Sequence, residues 1–386
     1  MSFTKISKNH AVKGAAIAAM LPLVLAGCAA NEGSSSSTTQ EQSPAAGESE
    51  ETTQTTTAEV PGGQYGGAGA SSQEAAQAAW IAAFQTAHDQ VTINYNPVGS
   101  GAGRQQFIEG AVIFAGSDSY LSDDELEGGF APCVPDTGAL SLPVYISPIA
   151  LAFNVDGVES LNLDADTIAR IFKGEITSWD DEAIASQNPE ATLPAQTITV
   201  VYRSDESGTT KNFQAYLDAN VADVWGEDPS DKFPFSFPGA EGAQGTSGVV
   251  AAIKGGSGTI GYADASKVAG LSTVALKVGD EYVPFSAEGA AAVVDASPQV
   301  EGRAPHDVAI ELDRTTTEAG AYPLVLVSYL LVCEQYQDGD NAEFVKAYVS
   351  FIASPEGQEA AAEGAGSAPI SEATREKIDA AVAAIQ

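Results

Sequence analysis

An α/β fold divided into two lobes is what this sequence predicts, on three observations. Short apolar, β-branched runs alternate with helix-like stretches along the chain. Its 386 residues exceed what one hydrophobic core ordinarily organises. Two long apolar runs interrupt the alternation, Val144 to Phe153 and Tyr322 to Val332, and the first is long enough to cross between lobes.

The first 28 residues stand apart from that fold. Lys5, Lys8 and Lys13 form a basic start, and Ala15 to Leu25 is an apolar stretch too short for a comfortable membrane span. The stretch ends in Leu25-Ala26-Gly27-Cys28, which resembles the lipobox of bacterial lipoproteins. Cys28 is therefore expected to become the lipid-modified first residue, the alternative being a plain secretory signal with a chance cysteine. Export follows from either. Residues 29–61 are mostly Ser, Thr, Gln, Glu, Ala and Pro, a composition expected to form a disordered tether. About 30 such residues reach roughly 30 Å.

The folded part is expected to begin with a helix after the Gly-rich stretch Gly62 to Gly69. Ser71 and Glu74 have capping-box spacing, and Ala76, Trp80, Ala83 and Ala87 recur on one face. Val91 to Tyr95 reads as a strand that runs through Gly99-Ser100-Gly101 into a helix over Arg104 to Ile108, and Val112 to Ala115 as a short strand ending at Gly116-Ser117-Asp118. Leu163 to Ile184 reads as two helical pieces broken at Gly174, and Ile198 to Val201 as a strand. Further on, a helix is expected over Val249 to Ile253, a strand over Gly258 to Tyr262, and amphipathic helices over Phe344 to Ile352 and Thr374 to Ile385.

The most informative turn follows the strand at Ile198 to Val201. Arg203-Ser204-Asp205-Glu206-Ser207-Gly208-Thr209-Thr210 joins it to a helix start, and these are the parts of an anion site. Helix N-terminal amides lack internal acceptors, Ser207 and Thr209 add hydroxyls, and Arg203 adds a planar charged fork that Asp205 can orient. An ordinary capped helix start has the same residues. The grammar recurs, however: Gly/Ser/Thr turns open helices at Ser71, Ser100, Ser207 and Ser247, three of them after strand-like segments. Helix ends converging on one oxyanion would explain the recurrence.

Charge and histidine content exclude several classes. The net charge is −35, and residues 61–386 hold 46 acids against 14 bases. Such a surface repels nucleic acid. It also repels small anions at long range, so an anion site must work through local dipoles and donors. Outside the signal the only histidines are His88 and His306, neither in a catalytic context, and Ser207 has no Gly-x-Ser-x-Gly elbow. No metal-ligand spacing and no P-loop occur, so neither a metal nor a cofactor is expected. Cys133 and Cys333 are an even pair in an exported chain, open to a disulfide or to two buried thiols.

These residues resemble the PstS family, the phosphate-binding proteins of bacterial phosphate-specific ABC transporters. The resemblance covers nearly all of residues 62–386. It is carried by Gly67-Ala68-Gly69-Ala70-Ser71, Gly99-Ser100-Gly101-Ala102-Gly103, Phe114-Ala115-Gly116-Ser117-Asp118, Ile171 to Trp179 and Arg203 to Thr210. It implies a type II periplasmic-binding-protein-like fold, with residues 62–147 and 319–386 as lobe I and 148–318 as lobe II. The hinge would pass through Val144 to Phe153 and near Ala309 to Tyr322. That division puts both cysteines in one lobe and favours their disulfide.

By motif match, Ser71, the amide of Ser72, Ser100 and Asp118 would bind phosphate from lobe I, and Arg203, Ser207, Gly208 and Thr209 from lobe II. Asp205 would orient Arg203, and Ser247 would stand behind the contacts. The family usually has Thr then Phe where this chain has Ser71 then Ser72. Asp118 gains a physical role, as acceptor for the proton of hydrogen phosphate, which sulfate lacks at neutral pH. The implied partners are inorganic phosphate, the transporter's permease subunits and the membrane through the lipid, with the protein a monomer. The alternatives are a sulfate or molybdate receptor, a secreted phosphatase, or a surface protein without a ligand.

Overall fold

The computed structural model describes residues 60–386. The expected signal, the Cys28 lipidation site and nearly all of the tether lie outside the described residues. The elements begin with β1 (Gly63–Gly69), α1 (Glu74–Ala87), β2 (Val91–Asn96), α2 (Ser100–Ile108), β3 (Phe114–Ser117) and α3 (Asp123–Glu127). The long β4 (Ala139–Asn154) follows, then β5 (Ser160–Leu163), α4 (Ala165–Phe172), α5 (Glu182–Ala185), β6 (Thr199–Arg203) and α6 (Gly208–Trp225). Next are β7 (Ala240–Ala243), α7 (Gly245–Gly255), β8 (Thr259–Asp264), β9 (Ser272–Val278), β10 (Glu281–Val283) and α8 (Ala287–Ala296). The chain closes with β11 (Val325–Cys333), α9 (Gly339–Ala353), α10 (Pro355–Ala365) and α11 (Glu372–Ala384).

One strand path orders the molecule as β2-β1-β3-β11-β4-β8-β6-β7, with β9 pairing β4, β5 and β10 beside it. The first α/β half is built on β1 to β3 and β11, the second on β6 to β8. β4 belongs to both, because its Ala139–Pro148 stretch pairs β11 and its Ile149–Asn154 stretch pairs β8. Apart from its last residue β4 is buried throughout, as is all of β11, which is why both read as continuous apolar runs without alternation. The β4–β11 register slips between Ser328 and Tyr329, where Val144 is the extra residue beside Pro143. Proline lacks the ladder donor and is tolerated at such a bulge.

Large aromatic side chains fill the space under each half. Trp80, Phe84, Phe344 and Tyr348 pack beneath the first, and Tyr65 stacks on Phe344 at 3.7 Å. Phe172, Phe213 and Tyr262 pack beneath the second, the last two stacked at 4.5 Å. Cys133 and Cys333 form a disulfide with Cα atoms 5.3 Å apart. It ties the segment before β4 to the end of β11.

Local rules succeed and fail instructively. Asp164 caps α4 through the Thr167 amide, and the chain leaves that helix through Gly174 at φ 74°. Ser71, by contrast, does not cap α1, which begins at Glu74 behind Gln73. Its hydroxyl is engaged across the cleft instead. α10, capped by Ser354 with Pro355 in its first turn, has a Gly- and Ala-rich sequence without apolar periodicity and escaped the sequence reading. Among the described residues no helix is long and apolar enough to cross a membrane.

Candidate anion-binding cleft

The N-termini of three helices, α2, α6 and α7, and the turn before α1 meet between the two halves. Asp118, just past β3, is 3% exposed and engaged on every polar atom. Its Oδ1 accepts the hydroxyls of Ser72 and Ser328, each at 2.6 Å, and its Oδ2 accepts that of Thr209 at 3.0 Å. Its amide donates to Ser100 Oγ at 3.1 Å, and its carbonyl accepts Asn212 Nδ2 at 2.7 Å. Burial pushes the Asp118 carboxyl up, while the hydroxyls of Ser328, Ser72 and Thr209 and the charge of Arg203 act against that rise.

Arg203 ends β6 with its side chain 2% exposed. Asp205 holds it bidentately, accepting Nε at 2.7 Å and Nη2 at 2.5 Å. A guanidinium has five N–H donors, so this fork orients the group without exhausting it. Burial raises the Asp205 carboxyl, but the Arg203 fork and the Gly245 amide at 3.0 Å outweigh that and hold it below the usual carboxylate range. Gly99 lets the facing turn approach this pair. A Cβ there would sit 2.6 Å from Asp205 Oδ2 and 2.7 Å from the Glu206 carbonyl, on a backbone with φ 101°.

The remaining hydroxyls are oriented by what they accept. Ser71 Oγ accepts the Thr246 amide at 3.0 Å, Ser100 Oγ the Asp118 amide, and Ser207 Oγ the Thr210 amide at 3.2 Å as cap of α6. A hydroxyl that accepts a backbone N–H keeps its own proton to donate. Ser71 also shares a bond with Thr246 Oγ1 at 3.0 Å. The amides of Gly208 and Thr209 open α6 and have no acceptor within it.

Five of the expected site residues, Ser72, Ser100, Asp118, Gly208 and Thr209, thus interlock around one point, while Ser71 meets Thr246 and Ser207 caps α6. Arg203, with Asp205 behind it, forms the wall beside them. The Thr209 hydroxyl is used differently from the expectation, since it goes to Asp118, and the Ser72 hydroxyl, which had no expected role, goes there too. Ser247 is exposed and bonds Glu74 Oε2 at 3.1 Å, so Thr246, its buried neighbour, is the member of that turn facing the cleft. Ser122, not Asp118, caps the helix that follows, α3.

Sequence reasoning also missed Asn212, Ser328 and Arg104. Arg104 joins the halves, bonding Ser117 and Glu125 on its own side and Asp231 on the other at 2.5 Å. Gly101 adds a cross-cleft bond from its amide to the Glu206 carbonyl at 3.1 Å. Ser328 did leave a signal, as the lone serine inside the apolar run Val325–Cys333. A cavity of about 280 Å³ adjoins Asp118 and is bordered by Asn212, Arg314 and Tyr329. Among the described residues no cluster of His, Cys, Asp and Glu is arranged to hold a metal.

An α/β molecule with donors converging from two halves on one cleft defines a solute-binding protein of the two-lobed kind. A family model described as a PBP superfamily domain matches residues 38–356. Phosphate-binding protein PstS 3 of Mycobacterium leprae is 36% identical over 289 residues, 73% of this chain and 76% of its own. Phosphate-binding protein PstS2 of Mycobacterium bovis is 33% identical over 323 residues, 82% of this chain and 86% of its own. A solved high-affinity periplasmic phosphate-binding protein (PfluDING) bound with phosphate has the same fold, with TM-score 0.67 at 22% identity over 82% of this chain and 93% of that one. The chain belongs to the PstS family of substrate-binding proteins, and it is a binding protein, not an enzyme.

Proposed function

We propose that this protein binds inorganic phosphate outside the cytoplasm and delivers it to the permease subunits of an ABC importer. It works as a monomer tethered to the membrane by lipid on Cys28. Residues 62–147 with 319–386, and 148–318, are the two lobes that close over the ligand. Arg203 supplies a fixed charge. Ser71, Ser100 and Ser207 donate hydroxyls, and Ser72, Gly208 and Thr209 donate amides.

The observation that carries this reading is Asp118, a buried carboxylate inside a ring of donors. Beside a fully ionised oxyanion it would repel an oxygen lone pair, at a cost that a dry site magnifies. Beside hydrogen phosphate it accepts the ligand's proton in a charge-assisted bond. Sulfate has no such proton at neutral pH, so the same carboxylate selects against it. The family membership and the curated relatives named as phosphate-binding proteins support the same choice.

Calorimetric titration tests the site. Arg203→Ala removes the fork and leaves Asp205 without its partner, which should lower phosphate affinity on the order of a hundredfold or more. Phosphate binding by Arg203→Ala at the unsubstituted affinity would rule this cleft out as the phosphate site.

A further inference from the structure

Asp118 Oδ1 is the end of a buried chain of donors that starts on the far side of the first half. Tyr348 of α9 donates its hydroxyl to Gln77 Oε1 at 2.9 Å. Gln77 Nε2 donates to Gln73 Oε1 at 2.9 Å, and Gln73 Nε2 to Ser328 Oγ at 2.7 Å. Ser328 Oγ then donates to Asp118 at 2.6 Å. Every member is almost wholly excluded from water, with exposures of 0% to 3%.

The chain has one direction. Gln73 Nε2 also reaches the Tyr329 carbonyl at 3.0 Å, and a carbonyl only accepts, so the amide cannot be flipped. Gln73 Oε1 must then face Gln77. Burial pushes the Tyr348 phenol far up, so it keeps its proton and donates. Ser328 has a single proton. Because it accepts from Gln73, that proton goes to Asp118.

Ser72 supplies the second hydroxyl on the same oxygen. Two donors fill the two lone pairs of Oδ1, so an acid proton could sit there only by displacing one of them. The acceptor capacity of the carboxylate is left on Oδ2, the oxygen that faces Thr209 across the cleft.

We propose that Gln73 and Ser328 are specificity-determining positioning residues, which pin Asp118 as an ionised acceptor and direct its free capacity to Oδ2. The role deepens, and rests on, the phosphate reading above. Neither residue touches the ligand; both act through Asp118. The burial that raises the Asp118 carboxyl makes such donors necessary, since each hydroxyl bond to the charged form lowers it again. Other charges act on the same group. Arg203 lowers it, and Asp264 and Tyr95 lie within its electrostatic reach. Arg314, Lys211 and Glu311 border the adjoining cavity with it.

The test is calorimetric titration of the full chain with phosphate and with sulfate between about pH 5 and 8. Ser328→Ala and Gln73→Leu are compared with the unsubstituted protein and with Ser328→Thr, which keeps the hydroxyl. Loss of one hydroxyl bond to a charged group should move the acid limb of phosphate binding up by about one to two pH units. The phosphate-to-sulfate ratio near that limb should fall at least tenfold, with Ser328→Thr nearest the unsubstituted protein. Asp264 titrates near the same range, pushed up to about 6 by burial, so the shift must persist in an Asp264→Asn background.

In an Asp118→Asn background, Ser328→Ala should leave the ratio unchanged, because the residue acts only through the carboxylate. Equal losses for both anions with an unmoved acid limb would overturn the proposal and leave Ser328 and Gln73 as packing residues. Absence of phosphate binding by the unsubstituted protein would instead overturn the phosphate reading, and the positioning role with it.

Discussion

Gly208→Ala adds one methyl group at a point where the two halves meet. A Cβ on Gly208 would lie 2.6 Å from Asp118 Cβ, 2.6 Å from Ser100 Oγ and 3.1 Å from Asp118 Cα. Ser100 Oγ can rotate, but at the loss of its bond to the Asp118 amide. Asp118 has little room to yield, because it follows the buried β3 and its carboxylate is held from its own side by Ser72 and Ser328. If the two halves part as proposed, the clash is relieved when the cleft opens. Overpacking of this size costs about 1–3 kcal/mol, which corresponds to roughly a five- to 150-fold loss of phosphate affinity. The second half on its own should gain slightly, since Ala in the first turn of α6 orders less freely in the unfolded chain. Calorimetry should show weakened binding, and thermal unfolding without ligand should show an unchanged or slightly raised midpoint. Unchanged phosphate affinity would refute the reasoning, since closure would then not bring Gly208 against Asp118.

Three further outcomes follow from the same geometry. Asp205→Asn keeps the size but removes the charge that holds Arg203, and it should weaken phosphate binding about tenfold or more with little change in sulfate discrimination, read by titration with both anions. Asp264, buried beside Tyr145, has a carboxyl pushed up to about 6, above its unfolded value of 3.8. Its contribution to stability is thus fully present below about pH 4 and is lost as the pH rises to about 6. Asp264→Asn should then stabilise the protein by up to about 3 kcal/mol at pH 7, with the gain vanishing towards pH 4 in denaturant melts. Reduction of the Cys133–Cys333 bond, whose cysteines stand 200 residues apart, should cost about 2–5 kcal/mol in chemical denaturation while leaving phosphate affinity nearly unchanged, because the bond lies at the outer end of β11.

What was legible in the sequence was whatever is local. The turn from Arg203 to Thr210 carries its strand, fork, cap and helix start within a dozen residues, and it folds as those residues specify. The apolar runs of β4 and β11 announced central strands because no face of either meets water. The cleft itself is assembled from partners far apart in the chain, and there the local rules mislead. Ser71 has every local mark of a helix cap, yet Thr246, 175 residues away, takes its hydroxyl. The bond from Gln73 to Ser328 spans 255 residues, and nothing near Gln73 distinguishes it from a surface glutamine. Ser247 and Thr246 are adjacent, and only the twist of α7 decides which of them faces the cleft.

On the proposed reading, Asp118 is the group that chooses among tetrahedral anions. The direct measurement is titration of the unsubstituted protein and Asp118→Asn, at neutral pH, with phosphate, sulfate and molybdate. The unsubstituted protein should bind phosphate far more tightly than sulfate or molybdate. Asp118→Asn should narrow the phosphate-to-sulfate ratio by at least tenfold, since the amide can donate to sulfate and no longer repels it. Phosphate binding no tighter than sulfate binding in the unsubstituted protein, or a ratio that Asp118→Asn leaves unchanged, would contradict that reading.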